Sequence, residues 1–138
     1  MIAVDTSVWI AALRDDGSRE ATVLAELLDA DEVLLPIPVK IELLSGTSKR
    51  DRTAMASGLE ALPVAYPNFE TWRTIVNWTG LASDAGVAFG VGDLLIAAIA
   101  AENGASLWSL DSAFDRLERM RLIAQYEPPR RREPLRTD

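Results

Sequence analysis

The sequence predicts a single α/β domain, with helices on both faces of a central, mostly parallel sheet. Three observations predict it. Short apolar runs that read as strands alternate with stretches at helical spacing, and crossover helices joining parallel strands produce that alternation. Two of the runs, "IAVD" at 2–5 and "SLWSL" at 106–110, end on or lead straight into an acid, Asp5 and Asp111. The fingerprints of a dinucleotide or P-loop site, G-x-G-x-x-G and G-x-x-x-x-G-K-[ST], do not occur in the chain. In open parallel sheets function gathers at the carboxyl ends of the strands, so these two acids are the first candidates.

The elements follow in order. "IAVD" (2–5) is a strand, and "TSVWIAALR" (6–14) is a helix with Thr6 or Ser7 near its start. "DDGS" is a turn. "REATVLAELLDAD" (19–31) carries Val23, Leu24, Leu27 and Leu28 at helical spacing. "EVLLP" (32–36) is a buried-type strand, "VKIELLSG" (39–46) a short helix closed by Gly46, and 48–62 a more polar helix. "VAY", between Pro63 and Pro67, is a short extended piece. Residues 68–86 form a long amphipathic helix capped by Asn68 and stopped by Gly86. "DLLIAAIAAENG" (93–104) is a helix ended by Gly104, "SLWSL" a strand, 111–120 a short helix and "LIAQY" (122–126) a last strand. The domain is expected over 1–126, and the Pro/Arg-rich remainder, 127–138, is expected to be a flexible tail.

Composition narrows the chemistry. The chain has 138 residues, 49% hydrophobic and 25% charged, which suits one globular domain. It has no apolar run near the 18 residues of a membrane span, and its start has no basic n-region, so a cytoplasmic protein without a membrane partner is expected. With no cysteine and no histidine, disulfides, thiolate or imidazole metal sites and Ser-His-Asp triads are excluded. Any metal must be held by oxygen, which suits Mg²⁺ or Mn²⁺. The net charge of −7 argues against broad electrostatic capture of nucleic acid.

Four carboxylates stand out: Asp5, Glu42, Asp93 and Asp111. Each has a plain structural reading. Asp5, Asp93 and Asp111 suit helix caps or first turns, and Glu42 suits a solvated helix face. Their surroundings point further. Residues 37–44 read I-P-V-K-I-E-L-L, apolar around most of the helix, so Glu42 is expected against other protein. The helix after Asp93 carries alanine at 97, 98, 100 and 101, which permits close packing on the sheet and is expected to place its first turn deep. The topology can bring all four acids to one sheet edge. There they repel one another and raise each other's pKa unless a counter-charge arrives. The only lysines are Lys40 and Lys49, and most arginines are distant in sequence, so divalent cations are the natural counter-charge. Such ions activate water for attack on a phosphate without any histidine.

These residues resemble the PIN-domain family. "VDTSVWIAAL" resembles its opening motif, "VKIELLSG" its second, "GVGDLLIAAIA" its third, and "SLWSLDSAFDRL" its fourth, usually Thr-x-Asp-x-Asp-Phe. The match is co-linear over roughly residues 1–126, and the size and acid placement most resemble VapC-type toxins. The resemblance implies a PIN-like three-layer α/β/α fold with a central mostly parallel sheet. It implies a metal-dependent endoribonuclease, with Asp5, Glu42, Asp93 and Asp111 as catalytic and metal-holding acids. Thr6 and Ser7 match the hydroxyls beside the first acid, and Ser109 stands where the family usually has Thr. Ala113 replaces the usual second Asp of the last motif, so one Mg²⁺ or Mn²⁺ is firmly expected and tight binding of a second is in doubt. Asp115, one turn beyond Asp111, is a partial substitute or a surface residue. The resemblance also implies a homodimer and a cognate antitoxin.

For an RNA substrate, phosphate contacts are sought at Arg14, Arg19, Lys40, Lys49, Arg50 and Arg52, of which Arg14 and Lys40 are nearest the acids in sequence. Solvated surface charge is the alternative for each. Trp9, Trp72, Trp78 and Trp108 are expected in the core or at dimer contacts. Two other readings remain at this stage. A receiver-like Mg²⁺ phosphoacceptor needs an acid pair after the first strand and a late lysine, and the chain has neither. A PIN-like scaffold or binding module with weakened catalysis is supported by Ala113 alone.

Overall fold

The computed structural model describes residues 1–130. Among them, four strands form one parallel sheet: β1 (Ile2–Val4), β2 (Val33–Pro36), β3 (Val64–Ala65) and β4 (Ser106–Trp108), in spatial order β3-β2-β1-β4. Helices connect them and flank the sheet: α1 (Thr6–Arg14), α2 (Arg19–Asp29), α3 (Ile37–Gly46), α4 (Arg52–Glu60), α5 (Phe69–Asp84), α6 (Val91–Glu102) and α7 (Ala113–Arg119). The expected α/β/α arrangement is therefore present. Ile2 pairs with both Val33 and Ser106, which makes β1 a central strand. Its apolar Ala3 and Val4 are fully buried, as a two-sided parallel strand requires.

The chain steps from β1 to β2 to β3 in one direction, then crosses to place β4 on the other side of β1. The strand order thus reverses between β1 and β4. A crevice forms at the carboxyl ends of strands where such a reversal occurs. Asp5 follows β1 and Asp111 lies three residues past β4, so both acids stand at that point.

Packing holds these ends in place. α6 buries Leu94, Ile96, Ile99 and the small Ala97, Ala98 and Ala100, the close packing expected of that alanine run. α5 closes against α6 through Ile75, Trp78 and Ala82. It begins with a reciprocal cap: Asn68 Oδ1 accepts from Thr71 N at 3.1 Å, and Thr71 Oγ1 accepts from Asn68 N at 3.0 Å. Thr71 is fully buried and its hydroxyl also donates to Glu102 Oε2 at 2.6 Å, fastening the start of α5 to the end of α6. Gly86 and Gly104 have φ of +74° and +63°, the left-handed conformation that ends a helix most easily at glycine. Phe114 and Leu117 anchor α7 in the core.

Several expectations are corrected. "LIAQY" is not a strand but one isolated bridge, Gln125 to Leu107. Arg121, at φ +61°, ends α7, and the chain then meets only the three-residue β4, leaving room for the pair Leu107 N–Ala124 O and Tyr126 N–Leu107 O, both 2.8 Å. The polar helix expected over 48–62 is shorter, because Ser48 and Asp51 close a turn before it. α3 and α6 each start two residues earlier than their sequence suggests, at Ile37 and Val91. Residues 127–130 have no regular secondary structure, and 131–138 of the expected tail lie outside the described residues. No helix among the described residues is long and apolar enough to cross a membrane.

Candidate active site

Asp5 sits at the N-cap position of α1, yet its carboxylate makes no cap hydrogen bond. It is only 7% exposed, and its Oδ2 instead accepts from two hydroxyls, Ser7 Oγ and Ser109 Oγ, each at 2.7 Å. The same serines hold the turn after β4: Leu110 N donates to Ser7 Oγ and Asp111 N to Ser109 Oγ, both at 3.0 Å. Asp5 N donates to Trp108 O at 2.9 Å, so the end of β1 is stitched to the end of β4 by backbone and side chain together. Thr6 Oγ1 is buried without a hydrogen-bond partner among the described residues.

Asp111 is exposed and does partly act as a cap: its Oδ1 accepts from Ala113 N at 2.9 Å at the entry to α7. Asp93 lies in the first turn of α6, whose cap is Gly90. It is half-buried beside the exposed Val91 and Gly92, so the first turn is at the rim of the molecule and not deep within it. Glu42, in the second turn of α3, is exposed, contrary to expectation. The helix is apolar around its circumference, but only Val39 and Leu43 are buried, and Ile41 beside Glu42 is 57% exposed. That apolar excess faces outward.

The four acids share one electrostatic neighbourhood. The Asp93 carboxyl is held above its ordinary value of 3.8, first by burial and then by the negative charges of Asp111, Asp5 and Glu42. These are the four acids singled out in the sequence. Among the described residues, however, no three such side chains stand ready at metal-ligating spacing. Both observations fit one picture. The other three acids act on Asp93 through their charge without standing within ligating reach of one common point. The single salt bridge among the described residues, Arg73 to Glu70 at 3.4 Å, is remote in sequence from all four. An all-oxygen donor set with unrelieved negative charge suits Mg²⁺ or Mn²⁺.

Arg14 is exposed and lines a cleft of about 270 Å³ together with Ile10, Leu13 and Glu42. Lys40 is half-buried on α3. Asp115 does not enter the surroundings of Asp93: its Oδ1 accepts from Gln125 Nε2 at 2.8 Å. Arg19 is engaged elsewhere, donating to the carbonyls of Pro128 and Pro129 at 2.7 and 2.6 Å. Trp9, Trp78 and Trp108 are core residues, whereas Trp72 is 46% exposed. Sequence reasoning named Asp5, Ser7 and Ser109 but not the pair of hydrogen bonds that joins them. A contact spanning 104 residues leaves no local pattern to find.

Comparison with known proteins agrees with the fold. The PIN domain family model matches residues 2–120. The chain is 32% identical over 125 residues to ribonuclease VapC18 of Mycobacterium tuberculosis, covering 85% of this chain and 87% of that protein. Among solved structures it resembles VapBC2 from Rickettsia felis bound to a promoter DNA fragment, with TM-score 0.74, 18% identity and coverage of 91% of this chain and 98% of that one. It also resembles VapBC-1 from nontypeable Haemophilus influenzae, with TM-score 0.73, 20% identity and coverage of 92% and 98%.

Proposed function

This chain belongs to the PIN-domain family, and from that premise we propose that it is the toxin of a toxin–antitoxin pair, an endoribonuclease that hydrolyses RNA phosphodiester bonds with carboxylate-held Mg²⁺ or Mn²⁺. The observation that supports the reading is Asp5 and Asp111 at the reversal of strand order between β1 and β4, with the Asp93 carboxyl raised by the charges of Asp111, Asp5 and Glu42. Those four acids would hold the ion. When bound, it supplies charge neutralisation at the phosphate and activation of the attacking water. Ser7 and Ser109 orient Asp5 by donating to one of its oxygens, which leaves the other free. Asp111 commits Oδ1 to the α7 turn and keeps Oδ2. Arg14, which lines the α1–α3 cleft with Glu42, and Lys40 on α3 would contact substrate phosphates.

An antitoxin partner is supported by the complexes among the structural neighbours and by the apolar walls of that cleft, Ile10 and Leu13. A homodimer is supported by the outward apolar stripe Phe69, Trp72 and Val76 on α5. A scaffold with weakened catalysis remains the second reading, favoured by Ala113 and by the open spacing of the acids.

The test is cleavage of a structured RNA pool by purified protein with Mn²⁺ or Mg²⁺, with EDTA, and by Asp93→Asn. Cutting that needs metal and vanishes in the variant is expected. Cutting that survives EDTA refutes the metal mechanism; metal binding without cutting points to a target missing from the pool, and a wild type that neither cuts nor binds metal supports the scaffold.

A further inference from the structure

A cavity of about 310 Å³ opens next to the acid cluster, with Ser109, the donor to Asp5, among its lining residues. Its far wall is the segment that bridges to β4 through Gln125. There Tyr126 stands edge-to-face with the buried Trp108, ring centres 5.6 Å apart at 65°. Arg19 lines the cavity and is locked in place by the Pro128 and Pro129 carbonyls. Its other terminal nitrogen, Nη1, donates to no acceptor among the described residues and stays accessible, so it is the donor open to an occupant. Asp115 and Glu127 line the same cavity with carboxylates.

An occupant must therefore bring an acceptor for Arg19, N–H donors for the carboxylates, and a flat face for the aromatic wall. A phosphate fails on charge. Of the RNA bases, guanine meets all three demands: O6 and N7 accept, the pairing that arginine favours, while N1–H and the N2 amine donate together along one edge. Uracil lacks the amine. Single-stranded RNA is commonly read by unstacking a base onto aromatic or guanidinium planes.

Resting on the ribonuclease reading above, we propose that this cavity receives an unstacked guanine of the RNA substrate, next to the phosphate offered to the acid cluster, and so selects the site of cutting. Arg19, Asp115 and Tyr126 are then specificity-determining residues.

The test is an NMR titration of ¹⁵N-labelled full-length protein in EDTA with 5′-GMP, AMP, CMP and UMP, following the Gln125 side-chain amide and the Tyr126 backbone amide. Since the phosphate is common to all four, any difference belongs to the base. Saturable shifts with GMP at least tenfold tighter than with UMP are expected, with IMP, which lacks the N2 amine, falling between. Asp115→Asn, an exposed change compatible with folding, and Arg19→Lys should each narrow the GMP preference. No shift at these residues, equal affinity for the four nucleotides, or an unaltered preference in both variants overturns the proposal. A GMP preference in a protein that cuts no RNA upholds the guanine site and removes only its ribonuclease premise. RNA cutting whose base preference is identical in wild type and Asp115→Asn overturns the guanine site and leaves the ribonuclease standing.

Discussion

Removing the Ser109 hydroxyl probes how the acid site is held. Asp5 is 7% exposed, and Oδ2 receives two short hydrogen bonds, from Ser7 and Ser109. A hydrogen bond to a charged group contributes about 1.5–3 kcal/mol. Ser109→Ala deletes one of them; of the two other broken contacts, the one to Ser7 Oγ is long at 3.3 Å and the one from Asp111 N lies on an exposed residue that water can serve. A destabilisation of about 1.5–3 kcal/mol is expected, which lowers Tm by roughly 5–10 °C in a chain of this size. Ser7→Ala should cost a similar amount. The double variant should lose more than the sum, because the first deletion leaves one donor on the carboxylate and the second leaves none. Urea unfolding of the two singles and the double measures the coupling. RNA cutting should fall about 10–100-fold in either single, as is typical when a residue supporting a metal ligand is lost. Ser109→Thr, which keeps a hydroxyl, should restore both. Single variants within 0.5 kcal/mol of wild type by the same unfolding assay, or strict additivity in the double, would refute the reasoning.

Three further predictions follow from the geometry. Asp93 has a folded-state pKa above its unfolded value of about 3.8, so the folded protein binds that proton more tightly. Metal-free stability should then fall as pH rises from about 3.8 through the folded value, and Asp93→Asn should flatten that fall and raise Tm in EDTA at pH 7. Adding Mn²⁺ should reverse the order of the two melts. Thr71→Val removes a fully buried hydroxyl, but its partners Asn68 and Glu102 are exposed and water can serve them, so the loss should be about 0.5–1.5 kcal/mol by urea unfolding. Its metal affinity, by calorimetry, should not change. Phe114→Ala empties a fully buried position under the Asp111 turn and should cost about 3–5 kcal/mol, with weakened Mn²⁺ binding as the turn loosens.

The sheet was legible because its strands are buried on both faces: "VLLP" and "SLW" read as apolar runs, and their helices carry the matching period. The failures have physical causes. "LIAQY" has the composition of a strand, but pairing depends on how much of β4 remains free, and three residues offer little. Glu42 looked buried because its helix is apolar all round, and a single chain does not cover all of that surface: Ile41 stays open. Asp93 was read as the residue opening its helix, whereas the helix opens at Val91, two residues earlier, and Gly90 is its cap. The four acids were visible as residue types in order along the chain. Their mutual influence, the double serine clasp on Asp5, and the cavity where Arg19 meets Gln125 are contacts between distant segments, and no local period encodes them.

The central place of β1 has a consequence in time. Among the described strands β1 needs β4, the latest in the chain, as its neighbour, and Asp5 meets Ser109 only after 104 more residues have been added. At translation rates of about 5–20 residues per second, that is roughly 5–20 s during which the nascent chain holds the first acid without its clasp. A chain stopped before β4 has no crevice at all, and such long-range pairing is slow to fold. The ribosome therefore releases the crevice between β1 and β4 late and all at once.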